Sequence, residues 1–455
     1  MLRRRANIDM CNGPLFKNII LYTLPIIATS VLQLLFNTMD LLVVGWYCGS
    51  TSVGAVGSTS SLINLMVNLF MGLSIGVSVT VAQGIGANDR ERVFKTVHTA
   101  LPVAIICSVI VTVLGVTCSR TFLEWMGNPK DTIELAAVYM RIYFCGTIGN
   151  MVYNFGAAIL RAAGDTMRPL IFLSISGVLN VVLNLIFVCI FHMDVAGVAL
   201  ATVISQGVSA VLVVIALLHR HDMCRLDIRR LMIDAIALKR ILAIGVPSGI
   251  QGSLFSISNV IIQSSVNSFK TAAVVGSAAA SNIEGYVYTS QNALAQTAMN
   301  FTGQNVGAKQ FKRVQRVWLN CMLAVTVIGL VLGGAVNLLG RPLLGIYITD
   351  SPEAIEYGLI KLFWICMPYF MCGLMECTSY TLRGLGKSLL SMIISVIGVC
   401  GFRLVWIFTI FRIPQFHTLE SLFASYLISW TATFLVGAAI LLPLLHKLQR
   451  RNGER

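Results

Sequence analysis

The 455 residues are 56% hydrophobic and only 11% charged, with a mean hydropathy of +0.81. A water-soluble globular chain carries about a quarter charged residues, so this composition excludes a water-soluble fold. The formal net charge of +14 would suit a nucleic-acid partner only if the basic residues clustered on one surface, and here they fall in alternate loops between apolar runs. No nucleic-acid partner is therefore expected.

Apolar runs long enough to cross about 30 Å of hydrocarbon recur along the whole chain. The start, Met1-Leu2-Arg3-Arg4-Arg5, is basic, but the apolar segment behind it is long and lacks a small-residue cleavage pattern. It is read as an uncleaved first span. In the first half the spans are placed at 15–45, carrying Pro25, Gln33, Asn37 and Asp40; 52–84; 93–120; 131–157, carrying Asn154; 166–192, carrying Asn180 and Asn184; and 194–219. A mixed-charge connection follows at 220–238, including His-Asp-Met-Cys-Arg-Leu-Asp-Ile-Arg-Arg-Leu, with helical periodicity. It reads as a linker between halves, and an interfacial amphipathic helix fits the same residues. The second half supplies spans at 239–269; 274–305, carrying Glu284; 313–339; 352–381, carrying Glu376; 386–411, carrying Arg403; and 416–446.

Sorting Lys and Arg by loop gives 25 on the side of the N-terminus and five on the other, Arg120, Lys130, Lys270, Arg341 and Arg412. That bias orients a multi-pass cell-membrane protein with an even number of spans and both termini cytoplasmic. Twelve cysteines show no CxxC pair and no cluster with histidine at metal-ligand spacing, so they read as small buried hydrophobes. No cofactor and no structural metal site are expected.

Three landmarks repeat at nearly one offset. Leu24-Pro25-Ile26 corresponds to Val246-Pro247-Ser248; Gln83-Gly84-Ile85-Gly86-Ala87 to Gln304-Asn305-Val306-Gly307-Ala308; and Leu160-Arg161-Ala162-Ala163-Gly164 to Leu382-Arg383-Gly384-Leu385-Gly386. The offsets are 222, 221 and 222 residues. Such a repeat, six spans apart, implies two parallel halves: an N-lobe at 1–219, the connector at 220–238, and a C-lobe at 239–455.

Pro25, Phe36-Asn37-Thr38-Met39-Asp40, Val44-Gly45, the two Gln-x-x-Gly-Ala turns and the two Leu-Arg-x-x-Gly turns, in this order along twelve spans, resemble the multidrug and toxic compound extrusion (MATE) family. The likeness covers essentially the whole chain. It implies an all-α polytopic fold of twelve transmembrane helices in two pseudo-symmetric six-helix lobes around a central V-shaped cavity, acting as a monomer among membrane lipids. The function it implies is secondary antiport, in which small, often cationic organic compounds or drugs leave by alternating access as protons or sodium ions enter.

An ionisable group at mid-bilayer costs on the order of 2.5–3.5 kcal/mol on insertion scales and marks function by default. Three acids fall well inside apolar segments: Asp40, Glu284 and Glu376. Asp40 shares its span with Gln33 and Asn37, and Asn180 and Asn184 lie at i, i+4 on one face of span five. Together they can form a polar N-lobe pocket in which a proton or sodium ion exchanges for cationic cargo; an aspartate merely hydrogen-bonded between helices is the other reading. In many members of the family this site combines the span-one aspartate, an Asn-x-x-x-Asp pair in span five and a threonine in span six. Asn180, Asn184 and Thr202 occupy the matching places, with Asn184 where those members have aspartate, which weakens the case for a multi-carboxylate sodium site at Asp40 and favours protons.

Asn154 either lines the pocket or bonds between helices. Pro25 is either a hinge of span one or a static kink. In the C-lobe, Arg403 is expected to neutralise Glu284 or Glu376, and a Glu376–Arg403 pair reads equally as structure or as coupling. Three mid-span acids against one deep arginine suit a cationic or neutral cargo. No HExxH or Walker A sequence occurs, so an enzyme is not expected. The alternative within the superfamily is a flippase for lipid-linked oligosaccharides; a channel or receptor fits the repeat poorly.

Overall fold

The computed structural model describes residues 8–125, 130–348 and 351–453; Arg3, Arg4 and Arg5 lie outside them. Within these residues the chain forms sixteen α-helices and no strand. They are α1 (Leu15–Tyr47), α2 (Ser50–Gly86), α3 (Arg90–Trp125), α4 (Lys130–Cys145), α5 (Thr147–Ala162), α6 (Met167–Leu185), α7 (Asp194–Leu218), α8 (Ala235–Val266), α9 (Thr271–Gly307), α10 (Phe311–Leu338), α11 (Gly340–Gly345), α12 (Pro352–Lys361), α13 (Tyr369–Gly384), α14 (Ser388–Ser395), α15 (Phe402–Phe408) and α16 (Leu419–Arg451). Helix is what a chain does when its peptide groups have no water to bond, since every N–H and C=O is then satisfied within the segment.

Among the described residues nine helices are long and apolar enough to span a membrane, and counting each of two bent pairs as one span gives eleven. The bent pairs are Thr132–Cys145 with Thr147–Ala162, at 46°, and Pro352–Cys366 with Tyr369–Gly384, at 41°. The eighth expected span is present as α9, 37 residues long, or about 55 Å at 1.5 Å per residue. Ser277, Ser281, Asn282, Glu284, Gln291, Asn292 and Gln296 keep it from the apolar composition of the others. The connector departs from expectation: between α7 and α8 the chain is irregular apart from a 3₁₀ turn at Ile228–Arg230, because its backbone groups are bonded to α3 and not along a helix. Asp227 N donates to His98 Nε2 at 3.0 Å, and Asp234 N to Thr99 Oγ1 at 3.1 Å.

The helices gather into two compact units, one holding Leu24–Gly252 and the other Met10–Thr23 with Ser253–Arg455. The first unit packs around Val43, Val77, Val97, Phe144, Phe155 and Val213; the second around Ile262, Ile283, Leu362, Tyr369, Phe423 and Trp430. The division runs through α1 beside Pro25 and through α8 five residues after Pro247. In the first unit the start of α8 lies against α2 with backbones nearly touching. A Cβ on Gly72 would come 2.2 Å from Gly249 N, and one on Gly76 would come 2.3 Å from Ile241 O. Two Gly-x-x-x-Gly pairs, Gly72/Gly76 and Gly245/Gly249, thus make the small-residue contact that membrane helices use in place of a hydrophobic driving force. In the second unit the start of α1 packs on α9 through the Thr23 and Thr297 hydroxyls, 2.8 Å apart, and through the edge of Tyr22 on Phe301.

A buried ion cluster closes the α5–α6 turn of the first unit. Asp165, fully buried, accepts from Arg168 N at 3.1 Å and lies 3.4 Å from the Arg168 guanidinium and 3.7 Å from Arg220. Burial holds the Asp165 carboxyl above the ordinary carboxylate range, against the pull of Arg168 and Arg220. Arg220 also chelates Asp222, which burial would raise but the guanidinium brings below its usual value.

Two outcomes follow for stability. Gly72→Val should overpack the α2–α8 contact and cost about 1–3 kcal/mol, visible as earlier thermal unfolding of the purified protein; an unchanged midpoint would mean the backbones are not in contact. Arg220→Ala strips a buried partner from Asp165 and should cost about 3 kcal/mol, whereas Arg225→Ala, on the same connector, should leave the midpoint in place.

Candidate functional site

In the first unit, α1, α6 and α7 bring four polar side chains into a closed ring. Asn184 Nδ2 donates to Asp40 Oδ1 at 2.5 Å and to Asn180 Oδ1 at 3.3 Å. Asn180 Nδ2 donates to Thr202 Oγ1 at 3.3 Å, and the Thr202 hydroxyl lies 3.4 Å from Asp40 Oδ2 and 3.0 Å from the Val198 carbonyl. Asn180 is 5% exposed and Asn184 not at all. The 3.6-residue period puts Asn180 and Asn184 one above the other, and Gly177, one turn earlier, makes room for α1: a Cβ there would sit 1.8 Å from the Phe36 ring. Directly after Asn184 the helix widens into a π-helical turn, Ile186–Ile190, a deviation that often marks functional positions.

The ring's chemistry follows from its inventory. One carboxylate faces neutral groups, and no basic side chain joins the ring. The Asn184 Oδ1 oxygen is buried and has no hydrogen-bond partner; such an orphaned acceptor is expensive in an apolar surround. With the amide turned, a cation beside Asp40 would satisfy it. Tyr139 and Tyr143 of α4 lie within electrostatic reach of the Asp40 carboxyl. Sequence reasoning missed both, since aromatic residues in an apolar span look like packing.

The other N-lobe candidates stand apart. Gln33 and Asn37 are on the exposed side of α1 and do not bond to the ring. Asn154 donates to the Asn150 carbonyl at 2.8 Å and to Asn150 Oδ1 at 3.0 Å, so its amide is spent on its own helix. Helix α1 continues unbroken through Pro25, whose carbonyl accepts from the Thr29 hydroxyl at 2.7 Å.

In the second unit the expected Glu376–Arg403 pair is not formed. The Arg403 guanidinium lies over the Tyr426 ring, 3.8 Å from its centroid, and 5.6 Å from that of Trp430, while Nε donates to Ser429 Oγ at 3.1 Å. Stacking on aromatic faces has replaced the carboxylate. Glu376 is buried, and the cation that acts on it is Arg383, two turns along the same helix. Glu284 pairs instead with Lys361, Oε2 to Nζ 3.4 Å, and accepts from the Tyr369 hydroxyl at 3.5 Å. Lys361, a second deep cation, escaped sequence reasoning because it sits one residue before a π-helical turn, Leu362–Cys366, in a span that the apolar pattern treats as continuous. Three buried basic groups, Lys361, Arg383 and Arg403, therefore accompany the acids of this unit.

Comparison with known proteins matches the same elements. The MatE family model fits twice, over residues 25–186 and 247–409, two stretches that begin 222 residues apart, at Pro25 and Pro247. The chain is 27% identical over 390 residues to the probable multidrug resistance protein YpnP of Bacillus subtilis, covering 86% of this chain and 87% of that protein. It is 26% identical over 401 residues to the probable multidrug resistance protein NorM of Thermotoga maritima, covering 85% and 84%. Its fold superimposes on an outward-facing multidrug resistance MATE family transporter of the MOP superfamily with a TM-score of 0.89 at 22% identity, covering 98% of this chain and 99% of that one. A helical membrane protein whose two halves both match that model belongs to the MATE family of multidrug efflux transporters and is a transporter, not an enzyme.

Proposed function

We propose that this chain is a secondary antiporter that exports small organic cations, and that Asp40 is the carboxylate at which a proton or sodium ion and the cargo take turns. The observation that carries this reading is the ring of Asn184, Asn180 and Thr202 around Asp40, with the Asn184 oxygen left unpartnered. A carboxylate held by neutral donors keeps its charge available for exchange; one locked to arginine or lysine does not. Protons suit the ring as it stands, because the Asn184 amide presents N–H to Asp40. Sodium would need that amide turned so that its oxygen joins those of Asp40, Asn180 and Thr202. The remaining parts of the reading are placement in the cell membrane with both termini cytoplasmic, lipid contacts around the helices, and action as a monomer.

Asp40→Asn should abolish uptake of a fluorescent organic cation into proteoliposomes under an imposed proton or sodium gradient, with the elution profile and unfolding midpoint of the purified protein retained. Near-parental gradient-driven uptake would remove Asp40 from the mechanism. Asn184→Asp supplies a second carboxylate beside the first, and sodium should then drive uptake better than it does in the parent; comparing the initial rates under the two gradients checks this, and no change in their ratio would argue against ion binding at the ring.

A further inference from the structure

The bent pair of the second unit contains an ion pair that straddles its break. Lys361 is the last residue of α12, Leu362–Cys366 form the π-helical turn, and Tyr369 is the first residue of α13. The Lys361 ammonium has three protons and three acceptors: the Ser277 carbonyl at 3.3 Å, the Ser281 hydroxyl, and Glu284 Oε2 at 3.4 Å. Phe423 covers it, with the ring centroid at 6.0 Å. The other carboxylate oxygen, Glu284 Oε1, takes the Tyr369 hydroxyl at 3.5 Å. A single carboxylate on α9 thus holds Lys361, five residues before the first arm ends at Cys366, with one oxygen, and Tyr369, the first residue of the second arm, with the other.

The surroundings make this a built contact. Near its start α9 lies backbone to backbone with α12, since a Cβ on Gly276 would meet the Ala354 carbonyl at 2.1 Å and Gly358 N at 2.8 Å. Past the bend, α9 keeps hold of α13 through Asn292 Nδ2, which donates to the Tyr380 hydroxyl at 3.3 Å. Between these attachments lie the turn Leu362–Cys366, with the looser i→i+5 pattern, and the break at Met367–Pro368, where proline interrupts the ladder, so the 41° angle depends on what fixes the residues on either side of it. The side chains of Lys361 and Glu284 are 10% and 20% exposed, leaving the pair in a low-dielectric setting where removing one partner strands the other.

We infer that Lys361 is a resident counter-cation that withdraws Glu284 from ion exchange, and that the Lys361–Glu284–Tyr369 contact is the latch that sets the bend of the broken span. An incoming ion would have to displace an ammonium held by two hydrogen bonds and an ion pair, and leave it buried without its counter-charge. Glu284 is then a positioning residue, and exchange is left to carboxylates with no lysine against them. The inference rests on contacts within the second unit and stands apart from the assignment of Asp40.

The test uses the full chain in proteoliposomes with imposed proton and sodium gradients, and hydrogen–deuterium exchange of peptides covering residues 355–372. Glu284→Gln and Lys361→Met should each lower gradient-driven cation uptake about tenfold or more by leaving a buried group without its partner. The double variant Glu284→Gln/Lys361→Met should recover to within about threefold of the parent, with the parent's ratio of proton- to sodium-driven rates. Exchange at 355–372 should be faster in Glu284→Gln, and in the parent it should not respond to sodium at fixed pH. Asp40→Asn should abolish coupling and leave exchange at 355–372 as in the parent, so the two readings fail separately. A double variant that moves cargo without regard to either gradient would make Glu284 a coupling carboxylate and overturn the inference. So would Glu284→Gln with parental uptake and parental exchange. If Lys361→Met yields no folded protein, Glu284→Gln with its exchange profile decides alone.

Discussion

Removing water from a carboxylate obliges the protein to supply its hydrogen-bond donors, and the arrangement of Asp40 depends on how that obligation is met. Its donors are an amide and a hydroxyl, which hold the charge in place without cancelling it. Everything near the site serves that end. Asn180 and Asn184 share a helix face, Gly177 lets the Phe36 ring and with it α1 come close, and the π-helical turn after Asn184 opens the ladder of α6 where the polar face ends.

The second unit meets the same obligation differently. Its acid Glu284 is answered by a lysine, its arginine by aromatic faces, and its acid Glu376 by an arginine two turns away. Asp40 thus has only neutral partners, while Glu284 is matched with a base. Two halves that share a fold and a family model have diverged in electrostatics. The divergence lies in a few side chains, because the helical scaffold is set by apolar composition and tolerates such exchange.

Architecture was legible because its signals are long. Hydropathy, the loop charges and the repeated Pro25/Pro247 landmarks each extend over many residues, and all twelve expected segments coincide with helices or bent pairs. The N-lobe ring was legible because Asn180 and Asn184 show the helical period and Thr202 falls in a family pattern. What escaped was pairing across helices. Arg403 and Glu376 look complementary on paper, yet Tyr426 and Trp430 occupy the guanidinium face, and no sequence spacing announces that. Lys361 was hidden by the continuity of its apolar span, and the connector's amphipathic period promised a helix that bonds to His98 and Thr99 forbid. Gln33 and Asn37 share a sequence neighbourhood with Asp40 but point to the exposed side of α1.

The division of α1 and α8 between the units bears on the order in which the chain can complete its packing. Each unit is completed by the opening stretch of the other half's first helix: α8 fills the glycine-lined groove of α2, and α1 joins α9 through Thr23 and Tyr22. Neither half of the sequence closes its own helix bundle: the glycine-lined groove of α2 is filled by a helix that the chain reaches only after residue 234.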